Sequence, residues 1–201
     1  VELIMFAKQH GISLIEVLIT VLVLGIGLLG LAGLQSVSMK NTYQSAQRSQ
    51  VMWLAHELVE RMRANPDGTQ ANSYTTEVAK YSPNTKCGSA TRPTPMCSTY
   101  FDKSTGSAVT PGSDCTDAQM AAFDAWELFC GYSYSNDVRT DMIDSLSQVE
   151  ATISCTDVDA SSTSPDSLAC SPGSLISINL SWSTPDRNAS TESSVAINVR
   201  L

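Results

Sequence analysis

Histidine is almost missing from this chain of 201 residues, which holds two, His10 and His56. No Ser–His–Asp set can be assembled around them, and there is no phosphate-binding loop. Basic charge is scarce as well: twelve Lys and Arg stand against twenty Asp and Glu, for a net charge of −8. The deficit is uneven, with a net of +1 over residues 1–65 and −9 over residues 66–201. Such an acidic body lacks the basic footprint that nucleic-acid binding needs. Close cysteine pairs are absent too. The nearest two are ten residues apart, whereas structural zinc sites usually bring ligands in close pairs. The expectation is therefore a protein that is not an enzyme, holds no metal or other cofactor and binds no nucleic acid.

What the chain does have is one long apolar run. From Ile12 to Leu34 it spans 23 residues with a single charge, Glu16. A helix of about 20 apolar residues crosses a bilayer core, and a carboxylate inside such a segment is by default a functional-site hypothesis. The run is longer than the core of a secretory signal peptide, and the small residue, Gly11, precedes it rather than follows it. Lys8 on the leader side puts the N-terminus in the cytoplasm and the rest outside. Read from Met5, the leader is MFAKQHG. Gly25, Gly27 and Gly30 spell GxGxxG, but a dinucleotide fingerprint follows a strand and turns into a helix, and these sit within one apolar run. Small residues at these spacings let apolar helices approach closely.

Beyond Gln35 the composition turns polar, yet Val51, Leu54, Ala55, Leu58, Val59 and Met62 recur at helical spacing. Glu57 and Arg61 stand at i,i+4 on the polar side, a pair expected to add a few tenths of a kcal/mol. Asn65-Pro66-Asp67-Gly68 ends the pattern. Residues 12–64 thus predict a single helix of about 80 Å at 1.5 Å per residue. Its second half is expected to pack on the body.

Six cysteines, Cys87, Cys97, Cys115, Cys130, Cys155 and Cys170, all follow the apolar segment. An even count at wide spacing in that position points to disulfides in an oxidising compartment. Pairing of sequence neighbours is expected, with Cys155–Cys170 the first choice. Residues 66–114 read as loop pinned by cysteines, with a short element around Ser73–Tyr81. Thr116-Asp-Ala-Gln119 is a capping box and predicts a helix through about Phe129 with Met120, Phe123 and Trp126 buried. A second short helix is expected over Val138–Leu146. Three segments then alternate with strand period: Val149–Cys155, Ile176–Trp182 and Val195–Leu201. They predict an antiparallel meander. Asp157, Asp159 and Asp166 lie in the first connecting loop, which lacks the glycine and terminal glutamate of an EF-hand. A solvated acidic loop is the expected reading.

The runs GISLIEVLITVLVLGIGLLGLAGLQ and LAHELVERMRANP, Leu54 to Pro66, resemble type IV prepilins, most of all minor pilins of the PilV type. The resemblance implies an α+β chain with the type IV pilin fold: a long N-terminal helix packed against a C-terminal antiparallel sheet, with a disulfide-containing head. It implies a leader over 1–11, a transmembrane and filament-core helix over 12–34, an amphipathic second half over 35–65 and an extracytoplasmic head over 66–201. Prepilin peptidase would cut after Gly11. Ile12, where the family usually has phenylalanine, would become the N-methylated terminus. Glu16 would serve assembly as counter-charge to the amine of Ile12 in its own or a neighbouring subunit, since a paired buried charge loses far less than a lone one. The implied function is initiation of pilus assembly from a tip complex, supporting twitching motility and adhesion. The implied partners are other minor pilins, the major pilin and a pilus-tip adhesin. The implied location is the inner membrane before assembly and the pilus afterwards. The alternative is a pseudopilin of the type II secretion system, which shares leader, glutamate and fold.

Overall fold

The computed structural model describes residues 13–81, 92–102, 107–111, 114–130, 146–160, 166–185 and 190–200. The chain divides into two units, Val1–Ala46 and Gln47–Leu201. One helix, α1 (Leu14–Ala64), begins in the first and ends in the second. Glu16 in its first turn and Arg61 and Arg63 in its last complement the helix dipole.

Within the first unit α1 is apolar as far as Leu34 and polar beyond it. Its apolar window is long enough to cross a membrane, and none of that window is buried. The hydroxyl of Thr20 donates to the carbonyl of Val17 at 2.8 Å, so this polar group is satisfied within the helix itself.

In the second unit α1 has a wet face and a dry one. Val51, Ala55, Leu58, Val59 and Met62 are buried as their spacing predicts, Leu54 is only partly buried, and Gln47 extends the buried stripe. The helix stops at Ala64 because Pro66 has no N–H to continue the ladder. No open turn follows, contrary to the reading of Asn65–Gly68 as a simple stop. The same residues that end α1 start α2 (Pro66–Gln70): Pro66 takes the first helical position, and the Asn65 side chain accepts from the N–H of Gly68 at 3.2 Å. Then come α3 (Ser73–Val78) and a hairpin of β1 (Tyr100–Asp102) and β2 (Ser107–Val109). The hairpin has no sequence forecast, since three-residue strands are too short to show alternation.

The capping box forms as expected. The N–H of Thr116 donates to Gln119 Oε1 at 2.9 Å, and the N–H of Gln119 donates to Thr116 Oγ1 at 3.3 Å. It opens α4 (Asp117–Cys130), which buries Phe123, Trp126, Leu128 and Phe129. Met120 is only partly buried. Tyr81 stacks on Phe129 with ring centroids 5.4 Å apart. The short helix expected over Val138–Leu146 lies outside the described residues apart from Leu146, which is buried.

The predicted meander is present: β3 (Ser147–Thr156), β4 (Leu175–Pro185) and β5 (Ser190–Arg200), antiparallel in that order. Its core face carries Val149, Ala151 and Ile153, then Ile176, Ile178, Leu180 and Trp182, then Val195. These join the buried strip of α1, Tyr74 and Val78 of α3, and α4 in one core. Burying each large apolar side chain contributes about 1.5–3 kcal/mol.

Candidate functional site: the first turns of the apolar helix

Among the predicted N-terminal residues, Gly11 and Ile12 lie outside the described set. Glu16 is the third residue of α1, and its N–H donates to the carbonyl of Ser13 at 2.9 Å. Its carboxylate is exposed on a helix whose neighbouring side chains, Leu14, Ile15, Val17 and Leu18, are exposed too. A negative charge in the first turn is favoured by the helix dipole. In water this is an ordinary site. In hydrocarbon, or against other apolar helices, the carboxylate demands a cation.

Among the described residues, nothing packs on the glycines of this helix. A Cβ built on Gly25, Gly27, Gly30 or Gly33 meets nothing within 4 Å. Each costs the helix about 1 kcal/mol relative to alanine.

The cysteines depart from neighbour pairing. Cys155 bonds Cys170, as expected, but Cys97 bonds Cys115. Pairing of sequence neighbours would have joined Cys97 to Cys87 and Cys115 to Cys130. Cys130 is buried and disulfide-bonded, and Cys87 lies outside the described residues. The short hairpin decides the matter: β1 and β2 fold back on each other between residues 97 and 115, which returns the chain to Cys97 with Cα atoms 5.7 Å apart. The 155–170 loop is tied to α2 as well, since the N–H of Cys170 donates to the carbonyl of Gln70 at 3.0 Å.

That loop gathers its three aspartates around serines. The N–H of Ser171 and the hydroxyl of Ser174 donate to Asp157 Oδ1 at 2.8 and 3.0 Å, and the hydroxyl of Ser171 reaches Asp159 and Asp166 at 2.9 and 3.0 Å. The Ser171 N–H, above all, pulls Asp157 down from 3.8 to about 2. The loop thus satisfies its acids with its own donors. Among the described residues no group of three His, Cys, Asp or Glu is placed to hold a metal. His56 is exposed on α1.

One cluster goes well beyond its sequence reading. Arg61 donates to Glu57 at 2.7 Å, to Asp124 at 3.0 Å and to Glu127 at 2.6 Å. Burial opposes the guanidinium's charge, yet the bonds to Glu127, Glu57 and Asp124 outweigh it and raise the pKa of Arg61. The hydroxyl of Tyr74 donates to the other oxygen of Asp124 at 2.6 Å. Burial, and then Asp124, raise the pKa of Tyr74. The i,i+4 pair was legible on the helix; Asp124, Glu127 and Tyr74 come from α3 and α4 and left no local signal.

An exposed apolar helix with a carboxylate in its first turn, long and apolar enough to cross a membrane, is continuous with a disulfide-stapled α+β unit. Comparison with known families agrees. Residues 6–32 match the prokaryotic N-terminal methylation motif, and residues 33–126, just under half of the chain, match the model described as Type IV pilin Tt1218. No curated protein and no solved structure gives a match. The adjoining family matches and the fold support a type IV pilin bearing the methylation motif. The motif implies processing by prepilin peptidase, and the family implies anchoring by the apolar helix and then a place among pilus subunits.

Proposed function

We propose that this protein is a minor pilin of the PilV type. In this reading prepilin peptidase cuts after Gly11 and methylates Ile12. The chain waits in the inner membrane with its N-terminus cytoplasmic and its head periplasmic. It then enters a tip complex with other minor pilins, the major pilin and an adhesin, and so supports twitching motility and adhesion. The observation that carries the reading is the apolar span of α1, wholly unburied around Glu16. A helix with that surface needs a partner phase at every turn. Lipid supplies it first, and neighbouring pilin helices supply it afterwards. Glu16 then gives register to an otherwise uniform apolar contact by accepting the amine of Ile12. Trp53 adds support from the second unit, where it is 67% exposed on α1 while Trp126 and Trp182 are buried.

The test is Glu16→Ala together with a deletion strain. Mass spectrometry of Glu16→Ala protein should still find cleavage after Gly11. Its incorporation into pili should fall, and piliation and twitching should drop as in the deletion. Entry of the variant into pili at the wild-type level sinks the charge-pairing mechanism. A deletion strain with normal pili and motility but failed exoprotein secretion replaces this reading with the type II secretion pseudopilin.

A further inference from the structure

The sheet has two edges, and they are treated differently. On β3 the register shifts between Ser147 and Glu150, and Gln148 takes a φ of 51°. Bulges and covering elements are the usual means of blunting an edge against further pairing. By contrast, β5 pairs with β4 in one unbroken register from Ser190 to Arg200. It contains no proline and no lysine, and among the described residues its other side pairs with nothing. An eleven-residue edge that stands unpaired among the described residues is a template for another strand.

The pattern along β5 says which strand. Val195, Ile197 and Val199 turn toward the core, while Glu192, Ser194, Ala196, Asn198 and Arg200 are exposed on the opposite face. Glu192 and Arg200, four residues either side of Ala196, are the charged residues on that exposed face. Among the described residues neither has an ion-pair partner; Arg200 donates to the neutral carbonyl of Gly173.

We propose that the free edge of β5 is a self-pairing surface, on which two copies of this chain join antiparallel through residues 192–200 about a two-fold axis at Ala196. In this register Glu192 of each copy lies opposite Arg200 of the other. Ser194 lies opposite Asn198, Ala196 opposite Ala196, and on the core face Val195 opposite Ile197. Apart from Ser193 opposite Val199, the pairs keep polar with polar and apolar with apolar, so the two three-stranded sheets become one of six. A two-fold contact must be self-complementary in this way. Shifting the centre by one residue to 195 puts Glu192 against Asn198 and Arg200 against Ser190. Shifting it to 197 leaves Glu192 with no opposite residue in the strand. Opposite charges directly across antiparallel strands stabilise the pair, and like charges oppose it, so the charges select both register and partner.

The test uses the full-length protein in its membrane. Residues directly opposite across an antiparallel pair have Cα atoms about 4.5 or 5.5 Å apart, and both distances suit a disulfide. Ala196→Cys should give a disulfide-linked dimer on mild oxidation. Ser194→Cys should not, because its symmetry mates lie four residues apart along the strands, about 13 Å. Added to Ala196→Cys, Glu192→Arg or Arg200→Glu alone should lower the cross-linked fraction about tenfold, and the two together should restore it. Because α1 can itself associate, dimer yield that ignores these charge changes overturns the proposal. Equal cross-linking at 194 and 196, or none at 196, overturns it too.

Discussion

Arg61 and Asp124 meet at 3.0 Å across 63 residues of chain, Arg61 donating from the last turn of α1 to a carboxylate on α4. Asp124 is nearly buried and takes a second bond from Tyr74. The pair therefore clamps the end of the long helix to the two helices that cover it. Removing the cation leaves a nearly buried carboxylate short of its counter-charge. Arg61→Ala should destabilise the head by about 2–4 kcal/mol, and Tyr74→Phe by about 1–2 kcal/mol. Denaturant melts of both variants, and of the double variant for their coupling, are the measurement.

The disulfides make a mapping prediction. Non-reducing peptide analysis should return Cys97–Cys115, Cys155–Cys170 and a third bridge that contains Cys130, with Cys87 the one cysteine left by the count. Replacing both Cys155 and Cys170 by serine opens a loop of fifteen residues, and the expected loss is about 3 kcal/mol.

Acid should loosen the 157–174 loop in a defined window. Asp157 has its pKa lowered from 3.8 to about 2 by donors that want its charged form, the Ser171 N–H first. A depressed acid contributes stability above its unfolded value and loses it as pH falls through the folded one. The contribution should be whole above pH 3.8, decline below it and be gone under about 2. Amide signals of Val158 and Ser171 followed by NMR on acidification should report this, and Asp157→Asn should abolish the dependence.

Two glycines should behave oppositely. A Cβ on Gly68 would stand 2.5 Å from Asn65 Nδ2. That side chain is held by the N–H of Gly68 and by the carbonyl of Asp117, to which it donates at 2.8 Å. Gly68→Ala should therefore cost about 1–2 kcal/mol in thermal or chemical melts, through loss of the cap. Gly27→Ala meets open space and should leave the melt unchanged or slightly improved. If Gly27→Ala nevertheless lowers incorporation into filaments, its role is contact with other chains.

The reach of the sequence follows from the range of the forces involved. The apolar run, the buried stripe from Val51 to Met62, the Thr116–Gln119 box and the three alternating strands are local patterns. Each is set by helix or strand period or by a cap spanning four residues, so each was legible without a fold. The break at Pro66 was legible too, but its sequel was not, because the same Asn-Pro pair both ends one helix and caps the next. Only the tertiary structure decided the partners. Arg61 was readable as one half of a weak surface pair until α3 and α4 brought Tyr74, Asp124 and Glu127 to it. The Cys97–Cys115 bridge depended on a hairpin whose strands carry no period. The edge of β5, unpaired among the described residues, and the bulged edge of β3 exist only once β4 lies between them. Chain order cannot specify such contacts, since closing a loop costs entropy that depends weakly on its length, and packing alone chooses which ends meet.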